Sequence, residues 1–141
     1  MKNLLLIAVF FTGIFTTTAQ IASEEGATIT VTVDKLKNNN GQVLFALYTE
    51  STFMKTDPVK ATSSKIEGNK VKVTFTNVPK GEYAIISIHD ENNNGQMDFD
   101  EGRMPLEDYG TSNNPMSYGP PEFGPSKFTV SDTDVNLKIV L

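Results

Sequence analysis

From residue 28 to residue 33 the chain reads Thr-Ile-Thr-Val-Thr-Val, and similar alternation returns up to its last residues. β-Branched residues at period two place one kind of side chain on each face of an extended backbone, the pattern of half-buried strands. Ile29, Val31 and Val33 form one such row. Residues 42–48 are apolar almost throughout and predict a central strand, whereas residues 59–66 are weakly patterned and predict an edge. In residues 70–76, Val71, Val73 and Phe75 point one way. Residues 82–89 form the most apolar segment, with Ala84, Ile86 and Ile88 as the expected core face. Residues 127–130 and 135–141 close the chain with two more strands. Turn signals separate these runs: Asn38-Asn39-Asn40-Gly41, expected to make a hairpin, then Gly68-Asn69, then Asn77 to Gly81. No segment sustains a helical period. The expectation is an all-β chain, a seven-stranded antiparallel sandwich of immunoglobulin-like or prealbumin-like type with one long loop.

The first residues stand apart from this pattern. Residues 1–3 carry one cation, Lys2, and an apolar run follows from Leu4 to Phe15. That run is short for a bilayer, which takes about 20 residues. Thr16-Thr17-Thr18-Ala19-Gln20 comes next, and the series reads as an export signal cut after Ala19. A retained N-terminal anchor is the alternative. The expected organisation is a signal peptide over 1–19 and a single β-sandwich domain over 20–141. The location expected is periplasmic or extracellular, with no membrane span after cleavage.

Loss of Lys2 moves the formal net charge from −5 to −6, and the pI is near 4.8. Such a chain is poorly suited to phosphate backbones, so no nucleic-acid partner is expected. There is no cysteine. That excludes disulfides, a thiol nucleophile, thiolate metal sites and a lipid-modified cysteine. An exported domain without disulfides takes its stability from its core or from a bound ion.

The long loop, residue 90 to about 125, carries most of the functional signal, because loops of such length are commonly functional or disordered. It opens Asp90-Glu91-Asn92-Asn93-Asn94-Gly95-Gln96-Met97-Asp98-Phe99-Asp100-Glu101, matching D-x-[DN]-x-[DN]-G-x₅-E at every specified position. Calcium takes six to eight oxygens from a chain that bends around it. Asp90, Asn92 and Asn94 offer side-chain oxygens, Gly95 the bend, Gln96 its carbonyl, Asp98 a direct or water-mediated oxygen, and Glu101 two oxygens. A strand enters where an EF-hand has a helix, so the expectation is a structural calcium loop rather than a sensor. With three carboxylates at ligand positions, its affinity would fall in the extracellular range, about 10⁻⁴–10⁻³ M. The alternative is a polar turn whose Asn and Gly serve backbone conformation alone.

The second half of the loop holds Tyr109, Asn113, Asn114, Tyr118 and Phe123. As a binding platform the rings and amides suit a carbohydrate; alternatively the rings fold down as a satellite core. His89 is the only histidine. It lacks a G-x-S-x-G serine and the His or Cys partners of a zinc site, and is expected to hydrogen-bond the calcium loop.

These residues resemble a known family. Asn77-Val78-Pro79-Lys80-Gly81-Glu82-Tyr83-Ala84, then His89-Asp90-Glu91-Asn92 with Asn94-Gly95 and Asp98, then Tyr109-Gly110 with Ser112-Asn113-Asn114, and Gly119-Pro120-Pro121 with Phe123, are similar to the domain of unknown function 2141 family. The resemblance implies a small exported bacterial β-sandwich and no particular activity. Gly102-Arg103-Met104-Pro105 departs from the family's Gly-Ile-Pro, and Glu101 is not a fixed family feature. The functional expectation is a non-catalytic exported module whose calcium-ordered loop shapes a surface for a protein or glycan. A metal-free structural protein of the cell envelope is the second reading, and a hydrolase the third.

Overall fold

A computed structural model describes residues 26–116 and 118–141. Eight strands run in the order β1 (Ala27–Asp34), β2 (Gln42–Tyr48), β3 (Lys60–Lys65), β4 (Lys70–Val78), β5 (Gly81–Asp90), β6 (Tyr109–Thr111), β7 (Phe128–Val130) and β8 (Val135–Ile139), with a single helical turn, α1 (Phe123–Ser126), before β7. The count exceeds the seven expected because the long loop contains β6, a segment too short to announce itself by alternation. The signal-peptide expectation lies outside the described residues. Among those described, no helix is long and apolar enough to cross a membrane.

The first sheet has the order β4-β1-β8. β1 pairs antiparallel with β4, Val31 opposite Val73, and parallel with β8, Val31 opposite Leu137. The parallel pair corrects the expectation of a wholly antiparallel sandwich. In the second sheet β2 lies between β3 and β5, and the far edge of β5 is shared: β7 pairs with Gly81–Tyr83 and β6 with Ile86–Ile88. The sheets pack face to face. Ile29, Val31, Val33, Val71 and Phe75 of the first meet Val43, Phe45, Leu47 and Ile85 of the second, all buried. This is a two-sheet β-sandwich with its core between the sheets.

Two further expectations need correction. Asn38–Gly41 makes no hairpin, because β1 and β2 belong to different sheets and the turn carries the chain across. In β5 the face toward the main core carries Tyr83 and Ile85, not Ala84, Ile86 and Ile88. Those three face outward, where Phe53, Ala84 and Ile86 form a second cluster with Tyr48, Ile88 and Phe123 against it. A strand apolar on both faces gives periodicity no sign, so the sequence alone could not choose between them.

Candidate ligand-binding groove and its loop

The loop starts where β5 ends. Asp90 is fully buried, and its carboxylate accepts hydrogen bonds from Asn94 N (3.0 Å), Gly95 N (3.0 Å) and Gln42 Nε2 (2.9 Å). Gly95 takes a φ of 80°, the left-handed bend that glycine adopts without steric penalty. The Asn92 and Asn94 oxygens accept from Asn94 N and Gln96 N, while both side-chain amides donate to the Asp98 carboxylate at 2.6–2.9 Å. Asp90, Asn92, Asn94 and Asp98 therefore do come together. Glu101 does not join them; it is exposed on a separate turn.

Glu107, absent from the calcium pattern, closes the loop instead. It is buried, and its two oxygens accept from Glu91 N and Asp98 N. As arranged, the asparagines present N–H groups rather than oxygens to Asp98. Among the described residues no three His, Cys, Asp or Glu side chains form a group that could hold a metal ion. The residues in this arrangement fit a loop closed by its own hydrogen bonds. A cation there requires the Asn92 and Asn94 amides to turn over, an inversion that exchanges oxygen and nitrogen at little change of shape.

The other candidate residues separate. His89 is fully buried, and its Nε2 lies 2.9 Å from the Asn40 carbonyl oxygen, so the ring bonds the β1–β2 connection rather than the loop. Its Nδ1 has no hydrogen-bond partner among the described residues and stands 4.0 Å from Glu91 Oε1. Asn113 donates to the Lys127 carbonyl, and Asn114 both donates to the Lys138 carbonyl and accepts from Val140 N. These amides tie the long loop to β7 and β8. Phe123 stacks edge-on against Phe53, ring centres 5.7 Å apart, in the satellite core. Tyr118 is fully exposed. Tyr109 donates to the Gly119 carbonyl and borders a groove.

That groove lies on the outer face of the second sheet and has a volume of about 780 Å³. Its floor is two cross-strand rows, Ser63–Leu44–Ile88–Tyr109 and Ala61–Ala46–Ile86. At the usual strand spacing the first row is about 14 Å wide. Met97, Phe99, Met104 and Pro105 of the loop form one wall, and Pro120 and Pro121 another. A small ladder holds the first wall in place: Asp100 N donates to Met104 O, Leu106 N to Asp98 O, and Phe99 bridges to Pro105. Phe99 is 56% exposed and Met104 64%.

The family of uncharacterised proteins conserved in bacteria designated DUF2141 matches residues 31–138. The chain belongs to this family. No curated protein and no solved structure matches the chain. The matched span of this DUF2141 chain runs from β1 into β8 and contains the loop, Glu107 and the groove.

Reading the DUF2141 chain as sequence missed the groove and Glu107. The signal for the groove was present: Leu44, Ala46, Tyr48, Ile86 and Ile88 make β2 and β5 apolar on both faces, so something must cover the outer one. Met97, Phe99 and Met104 in an otherwise polar loop were the matching half of that signal.

Proposed function

We propose that this protein is a non-catalytic binding module that takes an apolar ligand in the groove between the second sheet and its long loop. One observation carries the reading: a floor of Leu44, Ala46, Ile86 and Ile88 faces Phe99 and Met104, which stay largely exposed. Contiguous exposed apolar surface of this kind marks binding sites, and the volume falls in the range of small-molecule sites. Of the expected partner classes, a glycan is disfavoured, since the Asn113 and Asn114 amides are used within the fold. A purely structural envelope protein gains nothing from leaving Phe99 and Met104 uncovered. Hydrolysis finds no support at His89, which no substrate can reach. The two-sheet core supports reading the fold as immunoglobulin-like or prealbumin-like, although the parallel β1–β8 pair departs from the antiparallel form expected. Export rests on the sequence of residues 1–20 and is tested by sequencing the N-terminus of protein recovered from cell fractions, where Gln20 is expected first.

Nile red, a neutral apolar dye, tests the groove. Saturable one-site binding that is lost in Ala46→Trp, with an unchanged thermal midpoint, supports the reading. Absence of binding, or binding indifferent to Ala46→Trp, overturns it.

A second reading keeps calcium as a structural ion of the loop, favoured by the convergence of Asp90, Asn92, Asn94 and Asp98. Its test is calcium titration of the chelated protein, following heat and thermal midpoint together. A one-site response removed by Asp98→Ala supports it, and silence up to several millimolar, past the weak extracellular range of about 10⁻³ M, rejects it.

A further inference from the structure

Resting on the groove reading above, we infer that the ligand is a single-chain amphiphile with a carboxylate head, a free fatty acid, whose chain lies on the sheet and whose head meets Arg103. Three observations lead there. The first is charge. Among the described residues Arg103 is the only charged side chain lining the groove, and its guanidinium makes no hydrogen bond or ion pair with any of them. A planar guanidinium with all its N–H groups open is the side chain best matched to a carboxylate, which it binds through two parallel hydrogen bonds.

The second is placement. Arg103 sits at a φ of 62°, a backbone conformation in which glycine is the unstrained residue. The turn beneath it is braced by Arg103 N donating to Asp100 O (3.0 Å) and Met104 N donating to Asp100 Oδ1 (2.8 Å). The brace holds Arg103 beside Met104, at the wall of the groove.

The third is the floor. β2 is paired on both edges and so is β5, so their backbone N–H and C=O groups are spoken for and only side chains face the ligand. An extended peptide lying there would leave its own backbone polar groups without partners, a heavy penalty against an apolar surface. A hydrocarbon chain has no such groups. The source is the free acid rather than a membrane, because a protein of net charge −5 is repelled by anionic bilayers.

The experiment is Nile red displacement and calorimetry on the whole protein with decanoate, dodecanoate and tetradecanoate, below micelle-forming concentrations, alongside the alcohols of equal length. The expected result is one-site binding that tightens roughly fourfold per added methylene until the groove is filled. Each acid binds tighter than its alcohol, and Arg103→Gln removes about fivefold to tenfold of the acid's affinity while leaving the alcohol's unchanged. Arg103→Gly, which relaxes the backbone, gives the same pattern and separates the charge from any disturbance of the turn. Acid and alcohol binding equally, or indifference to both variants, overturns the head-group assignment while the groove reading stands. Nile red binding without displacement by any acid overturns the fatty-acid class, again leaving the groove. Failure of Nile red and acids together overturns both. Cosedimentation with phosphatidylcholine–phosphatidylglycerol vesicles, in place of monomer binding, overturns the choice of the free acid.

Discussion

Gln42 and Asp90 are partners twice over: they face each other across β2 and β5, and Gln42 Nε2 donates to Asp90 Oδ2 at 2.9 Å. Asp90 thereby belongs at once to the sheet and to the loop, whose Asn94 and Gly95 N–H groups it also holds. Asp90→Asn keeps the shape but turns an N–H₂ group toward one set of donors. Hydrogen bonds to a charged acceptor are worth about 1.5–3 kcal/mol each, and a buried donor left unpaired adds to the loss. The variant is expected to lose about 3 kcal/mol in urea unfolding, and the Asn94 and Gly95 amides to exchange faster than those of β2.

Glu107 and Glu101 should behave oppositely. Glu107→Gln weakens the bonds to Glu91 N and Asp98 N and is expected to destabilise by about 2 kcal/mol. Glu101→Gln, at an exposed position, should stay within about 0.5 kcal/mol of the parent. Equal effects in chemical denaturation would show that Glu107 does not close the loop.

Gly41 and Gly95 both have positive φ, at 68° and 80°, yet their surroundings differ. A Cβ on Gly41 would stand 2.0 Å from the Asp90 carbonyl oxygen, whereas one on Gly95 meets nothing within 4 Å. Gly95→Ala therefore carries only the left-handed backbone penalty, about 1–2 kcal/mol. Gly41→Ala carries a backbone clash as well and is expected to lose more than about 4 kcal/mol or fail to fold. Thermal midpoints of the two variants provide the comparison.

The Lys138 ammonium, 2.8 Å from Asp34, holds the Asp34 carboxyl below its ordinary value of 3.8, chiefly through their hydrogen bond. A carboxyl lowered in the folded state stabilises above its unfolded pKa, and the contribution is lost as pH falls through the folded one. Asp34→Asn should accordingly lower the urea midpoint slightly at neutral pH and low salt. The two proteins should converge in acid, and also in concentrated salt, because the pair is open to solvent. A difference that persisted in acid would assign the effect to something other than this charge.

Much of the sandwich was legible because its rows are pure. Ile29, Val31 and Val33, and Val71, Val73 and Phe75, announce both strand and face, and residues 42–48 announce a central position. The face of β5 was not legible, since Ser87 and His89 continue its inner row while Ile86 and Ile88 look more like core. Nor could Asn40-Gly41 reveal whether it joins neighbours in one sheet or crosses between two; turn chemistry is local and sheet membership is not. The loop's first half was readable from its Asx spacing, but its closing carboxylate was not. Glu107 reaches Glu91 and Asp98 only because the ladder from Asp98 to Leu106 folds the chain back, a relation no fixed spacing encodes.

β1 lies between β4 and β8, so one edge of the first strand stays open until the last strand arrives. The junction is fastened by Thr28 N donating to Asp134, 106 residues further along the chain. Pairings so distant in sequence form late and slow the folding that depends on them. A chain delivered amino end first from a ribosome cannot complete this sheet while residues 135–139 are still held. Until β8 emerges the sandwich stays unlatched, and that strand acts as its bolt.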